Sequence, residues 1–152
     1  MNLTRRASLG VAGVFVLFCL DRALKWWALN VLADSGLFVI KEKLGFIFTK
    51  NYGISYSILL PQALLVFVLA VVIVALVFIA LIAYRKHEWW IVFPSAYIII
   101  GAFSNALDRL KYGYVVDYMT LTGWPIFNIA DVLILAGAVW LAVRVIRRPI
   151  IS

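Results

Sequence analysis

Four apolar runs, separated by polar intervals of unequal length, lay out this chain. Residues 10–32 carry charge only at Asp21, Arg22 and Lys25, and residues 61–84 carry none. Residues 89–107 carry none either, and residues 127–146 are charged only at Asp131 and Arg144. At about 1.5 Å per helical residue, each run is long enough to cross a hydrocarbon layer of about 30 Å. The pattern predicts an all-α integral membrane protein: a single domain over residues 1–152, built as a four-transmembrane-helix bundle. The interval 34–60 differs in texture. Its segments 44–50 (LGFIFTK) and 54–59 (ISYSIL) have the aromatic and β-branched content of strands, and the second alternates apolar with polar positions. Asn51-Tyr52-Gly53 between them reads as a turn, with Gly53 supplying the flexible position. Open strand edges do not survive in hydrocarbon, so a small β-sheet formed by this first outer loop is expected at the membrane surface. The interval 108–125 is rich in tyrosine (Tyr112, Tyr114, Tyr118) and closes on Trp124-Pro125.

Composition points to the same solvent. A chain of 152 residues that is 66% hydrophobic, with a mean hydropathy of +1.05, has more apolar side chain than a soluble interior of its size can hold. The net charge of +7 does not form one patch for nucleic acid. Most of it flanks the apolar runs, where it meets lipid headgroups. Membrane lipid is therefore an expected partner and nucleic acid is not.

Orientation follows from the basic residues. Arg5, Arg6, Arg85, Lys86, Arg144, Arg147 and Arg148 lie in the short segments at the two ends and at 85–88. Lys41, Lys43, Lys50, Arg109 and Lys111 lie in the other two intervals. The positive-inside rule puts the first group, with both termini, in the cytoplasm. Arg5 and Arg6 resemble the start of a signal peptide, but no small-x-small cleavage pattern follows, so the first helix is expected to be retained. Cys19 has no partner for a disulfide and follows the bulky Phe18, unlike a lipidated cysteine, so core packing is expected for it. His87, in a four-residue connection, is expected to be solvated.

This topology gathers polar residues from distant parts of the chain at one depth: Lys25, Asn51, Asn105, Asp108, Arg109, Asp117, Asn128 and Asp131. Asp21 and Lys25, four apart on one helical face, are placed to pair. The set contains no serine-histidine or cysteine-histidine couple, no convincing metal spacing and no glycine-rich phosphate loop, so neither metal nor cofactor is expected. What remains is carboxylate chemistry. Two close aspartates share one proton near neutrality, letting one activate water while the other polarises a carbonyl. The residues alone allow any two of Asp108, Asp117 and Asp131. A small transporter with Asp21 or Asp131 as its coupling carboxylate competes with this reading, as does a silent binder of lipid-modified peptides. A transporter, however, does not call for acids and asparagines gathered at one interface.

Five short motifs, in order along the four runs, resemble those of signal peptidase II, the bacterial lipoprotein signal peptidase family. They are Asp21-x-x-x-Lys25, the segment Asn51-Tyr52-Gly53-Ile54-Ser55-Tyr56-Ser57, the block from Gly101 through Asn105 to Asp108-Arg109, Val115-Val116-Asp117-Tyr118, and Phe127-Asn128-Ile129-Ala130-Asp131. The resemblance implies a membrane aspartyl endopeptidase of the bacterial inner membrane, acting near its outer face as a monomer. The implied substrate is a prolipoprotein whose cysteine carries diacylglycerol, cut just before that cysteine. Residue by residue, it implies that Asp117 and Asp131 are the catalytic pair. Asn51, Gly53, Asn105, Arg109 and Asn128 support them and the substrate. Asp21 and Lys25 form a structural ion pair, and Asp108 is structural, holding Arg109. The chain departs from the family pattern at Arg22, where glutamine is common, at Ser104, where glycine is usual, and at Tyr56, where phenylalanine is usual. The segment between Asp117 and Asp131 is also short.

Overall fold

Apolar side chains face outward all round the helix α2 (Gln62–Arg85). Phe67, Val74 and Phe78 are each about two-thirds exposed, and only Leu65 and Ala83 are buried. A helix that is apolar on every face is built for lipid. The computed structural model describes residues 3–32, 36–40, 43–53 and 61–147. Besides α2 it has the helices α1 (Leu3–Val31), α3 (Trp89–Tyr112) and α4 (Ile129–Ile146), with the strands β1 (Leu37–Ile40), β2 (Leu44–Asn51) and β3 (Val115–Leu121). Among the described residues, α2, α3 and α4 are long and apolar enough to cross a membrane.

The strands form one antiparallel sheet in the order β1-β2-β3, with Leu44 opposite Leu121 and Asn51 opposite Val115. This corrects the expectation of a sheet drawn from the first outer loop alone. That loop supplies β1 and β2, while β3 comes from the tyrosine-rich interval and carries Asp117. The expected strand at 54–59 lies outside the described residues. The interval 108–125 is also less loop than expected, because α3 continues to Tyr112. Gly113 ends it in the left-handed region at φ 78°, its N–H bonded to the Arg109 carbonyl at 3.0 Å. Glycine adopts that conformation without steric cost, and the chain turns directly into β3.

Two contacts position the site. Val116 and Tyr118 of β3 are fully buried against Ala28 of α1 and Leu32 just past its end, which locks the sheet onto that helix. Between α3 and α4, Gly101 faces the Ala130 carbonyl and Gly137 faces that of Pro94, so closely that a Cβ at either position would collide. Small residues let helix backbones approach in this way. Cys19, expected in the core, is exposed. It follows Phe15 by one helical turn and precedes Trp26 by two, on a stripe whose large apolar members are more than half exposed. His87 is exposed and lies beside the Trp89 ring, away from the polar cluster.

Candidate active site

The site is assembled around the first turn of α4. Asn128 is its N-cap, in an extended conformation at φ −134°. The Asn128 Oδ1 accepts from the Asp131 N–H at 2.8 Å, and Asp131 Oδ2 accepts from the Asn128 N–H at 3.2 Å. This is a reciprocal capping box with aspartate in the third position. It leaves the Asn128 side-chain amide free to donate to Asp117 Oδ1 at 2.6 Å, across from helix to strand. One asparagine therefore touches both aspartates. The other oxygen of Asp117 accepts from Asn51 Nδ2 at 2.8 Å, and the Asn51 Oδ1 is itself fixed by the Gly53 N–H at 3.1 Å. Asp131 Oδ1 accepts from Asn105 Nδ2 at 2.8 Å. Asn105 sits one turn beyond Gly101, which packs against the Ala130 carbonyl of α4.

Beneath the asparagines lies a buried ionic layer. Lys25, with no exposed surface, donates to Asn105 Oδ1 at 2.7 Å and lies 2.8 Å from Asp108 Oδ2 and 3.3 Å from Asp21 Oδ2. Asp108 also accepts from Arg22 Nη1 at 2.6 Å and from the Val116 N–H at 3.2 Å. Asp21 accepts from Ser104 Oγ at 2.6 Å, from Tyr118 Oη at 3.0 Å and from the Ala130 N–H at 3.2 Å. Buried charge is costly unless paired and hydrogen-bonded, and each member of this layer is both.

The Asp21–Lys25 contact stands where helical spacing places it. Asp108 does not hold Arg109, however; it is held by Arg22 and Lys25. Arg109 instead reaches the Gly53 carbonyl at 2.8 Å. The reason is geometric: Asp108 is buried toward α1, while the next residue on the helix points away toward the β2 turn. Arg22 and Ser104, the two departures in the helices, contact each other, with Arg22 Nη1 3.3 Å from Ser104 Oγ. The sequence marks both as departures from the family pattern but does not by itself join them. A signal for Arg22 was present, since it precedes Lys25 by three and so shares its helical face.

The surroundings of Asp117 favour its protonated form. Burial pushes its carboxyl up to about 7, and the charge of Asp131 adds to the rise. The amides of Asn51 and Asn128, with the charge of Lys25, pull the other way. A carboxyl near 7 beside a second carboxylate is suited to proton transfer at neutral pH. Among the described residues no three His, Cys, Asp or Glu side chains come together as a metal site.

Comparisons with solved structures give the fold, and those with sequences give the family. Two solved chains titled as bacterial membrane enzymes share this fold. One has a TM-score of 0.81 at 21% identity, with 92% of this chain and 88% of that chain covered. The other has a TM-score of 0.78 at 20% identity, covering 93% and 95%. The model of the family described as Signal peptidase (SPase) II matches residues 13–147. The lipoprotein signal peptidase of Clostridium novyi is 32% identical over 134 residues, 84% of this chain and 90% of that protein. That of Dichelobacter nodosus is 31% identical over 156 aligned positions, 97% and 99% of the two chains. The chain belongs to the signal peptidase II family, and with that family it is a membrane peptidase.

Proposed function

We propose that this protein is an aspartyl endopeptidase that cuts diacylglyceryl-modified prolipoproteins immediately before the lipidated cysteine, at the outer face of the bacterial inner membrane. One observation carries the reading: Asn128 bonds both Asp117 and Asp131, holding two carboxylates at one site. The substrate class follows the relatives' name. In this reading α1 crosses the membrane together with α2, α3 and α4, and both termini are cytoplasmic. The side chains that hold Asp117 and Asp131 all come from one chain, in keeping with a monomer.

The buried charges are consistent with a shared proton. Asp21, Asp108, Asp117 and Asp131 face Arg22, Lys25 and Arg109, so the cluster is neutral when one carboxyl keeps its proton. Asp117, pushed up to about 7, is that carboxyl. Asp131 takes a proton from water as the water oxygen attacks the scissile carbonyl carbon, and the Asp117 proton passes to the carbonyl oxygen. The tetrahedral diol collapses as the C–N bond breaks: Asp131 gives its proton to the departing nitrogen while a diol hydroxyl returns one to Asp117. Arg109 fixes the Gly53 turn, which in turn orients Asn51 against Asp117. The strand β1, with Leu37, Phe38, Val39 and Ile40 all more than half exposed, offers an apolar surface to lipid or to the substrate's acyl chains.

The test uses purified protein in lipid nanodiscs with one precursor prepared with and without diacylglycerol. Cleavage before the modified cysteine, and none of the unmodified chain, is expected; equal cleavage of both would remove the proposed specificity. Reporters fused after Asn51 and after Lys86 should fall on opposite sides of the membrane, and a same-side result would overturn the four-span arrangement.

A further inference from the structure

Tyr118 is fully buried in the apolar cluster that joins β3 to α1, where phenylalanine would fill the same space. Its hydroxyl nonetheless uses both of its hydrogen-bonding functions. It accepts from the Ile129 N–H at 3.1 Å and donates to Asp21 Oδ1 at 3.0 Å. The same Asp21 oxygen accepts from the Ala130 N–H at 3.2 Å. The first three amides of α4 are thus capped by three groups from three parts of the chain. Ile129 is capped by Tyr118 of β3, Ala130 by Asp21 of α1, and Asp131 by the Asn128 side chain. Helix-start amides have no partner within the helix, so whatever caps them fixes where the helix begins.

The placement of these caps matters. Tyr118 directly follows Asp117, and the amide it caps lies two residues before Asp131. The link from strand to helix therefore runs alongside the two carboxylates, with a second anchor on Asp21. An ordinary core tyrosine would need one partner for its hydroxyl; this one joins the two elements that carry the aspartates. We infer that Tyr118 is a positioning residue of the peptidase: its hydroxyl, clamped between Asp21 and the first amide of α4, sets the spacing of Asp117 and Asp131. The inference rests on the proposed aspartate pair.

Tyr118→Phe keeps the ring and deletes the clamp. The expected result is a fall in kcat of about tenfold, the size of a lost hydrogen bond that leaves a buried N–H unpaired, with KM within twofold of the parent. A second variant guards against misfolding. Ile129→Pro removes the donor of the same contact and trims the Ile129 side chain from the edge of the cluster, at the first helical position, where proline is tolerated and where the extended Asn128 suits a following proline. It should lower kcat several-fold, and the double variant should be no slower than Tyr118→Phe, since the bond that proline removes is already missing there. Several results each overturn the inference: an unchanged kcat in either variant, a loss confined to KM, or independent losses that multiply in the double variant. These outcomes are distinct from failure of the aspartate pair itself, which would appear as turnover in variants lacking Asp117 or Asp131.

Discussion

Asn51→Ala isolates one force on the Asp117 proton. Asn51 donates to Asp117 Oδ2 at 2.8 Å and leaves the cap of α4 and the contacts of Asp131 untouched. That bond favours the ionised carboxylate, so it holds the Asp117 carboxyl below where burial and Asp131 would otherwise put it, at about 7. A hydrogen bond to a charged group contributes about 1.5–3 kcal/mol. Asn51 is half-buried, so the lower figure applies, and at 1.36 kcal/mol per pH unit it corresponds to about one unit. The sign is upward. If Asp117 is the protonated partner, its ionisation sets the alkaline limb of the rate profile, and Asn51→Ala should carry that limb about one unit higher. The maximal rate should fall while the variant keeps a larger share of its own maximum at pH 8.5 than the parent does. The assay is kcat/KM for cleavage of a diacylglyceryl-modified precursor from pH 5 to pH 9.5. A uniform loss at every pH, or an alkaline limb that moves down, would refute the reasoning. The same sign bears on stability. The folded state holds the Asp117 proton more tightly than the unfolded chain, whose value is near 3.8. That contribution is fully present below the unfolded value and lost as pH rises through 7. Resistance to thermal unfolding should decline between pH 5 and pH 8 as far as this group governs it.

Three further outcomes follow from the ionic layer and the helix contact. Asp108→Asn takes the nearer of two carboxylates from the fully buried Lys25, leaving Asp21, and should cost about 3 kcal/mol in denaturant unfolding in detergent, the lower end for breaking a buried pair. Arg22→Gln should cost only about 1 kcal/mol and leave activity near the parent's, because Arg22 is 27% exposed and Lys25 still balances Asp108. Gly101→Val drives a side chain against the Ala130 carbonyl; it should destabilise by about 1–3 kcal/mol and lower kcat more than it raises KM by displacing Asp131 from Asn105.

Hydrophobic periodicity and run length sufficed for the long elements, because a bilayer-scale apolar run has few other structures open to it. The polar cluster was also legible, since a charge within or beside such a run has to sit at an end or against a partner. The strand carrying Asp117 was not recognised. Val115 and Val116 have strand character, but Asp117 interrupts the apolar pattern, and the partner strand β2 lies some 65 positions earlier, which no local pattern reveals. The four-residue β1 escaped for its brevity. Asp108 was misassigned to its neighbour Arg109 because adjacency in sequence is a poor guide on a helix, where successive side chains diverge by about 100°. Cys19 was expected in the core once a disulfide and lipidation had been set aside, a default drawn from water-soluble interiors that reverses when the solvent is lipid. Choosing Asp117 and Asp131 among three aspartates rested on family resemblance. The structure adds a physical distinction: Asp108 is held by two cations, whereas Asp117 and Asp131 are held by neutral asparagines.

The central claim is that Asp117 and Asp131 work as one catalytic unit. Its most direct measurement is single-turnover cleavage of a diacylglyceryl-modified precursor by purified Asp117→Asn and Asp131→Asn proteins, each verified as folded by its unfolding transition. The account predicts that each variant alone falls to the limit of detection, about as low as the double variant, because neither carboxylate activates water and protonates the carbonyl oxygen without the other. Substantial turnover by either folded single variant would contradict it.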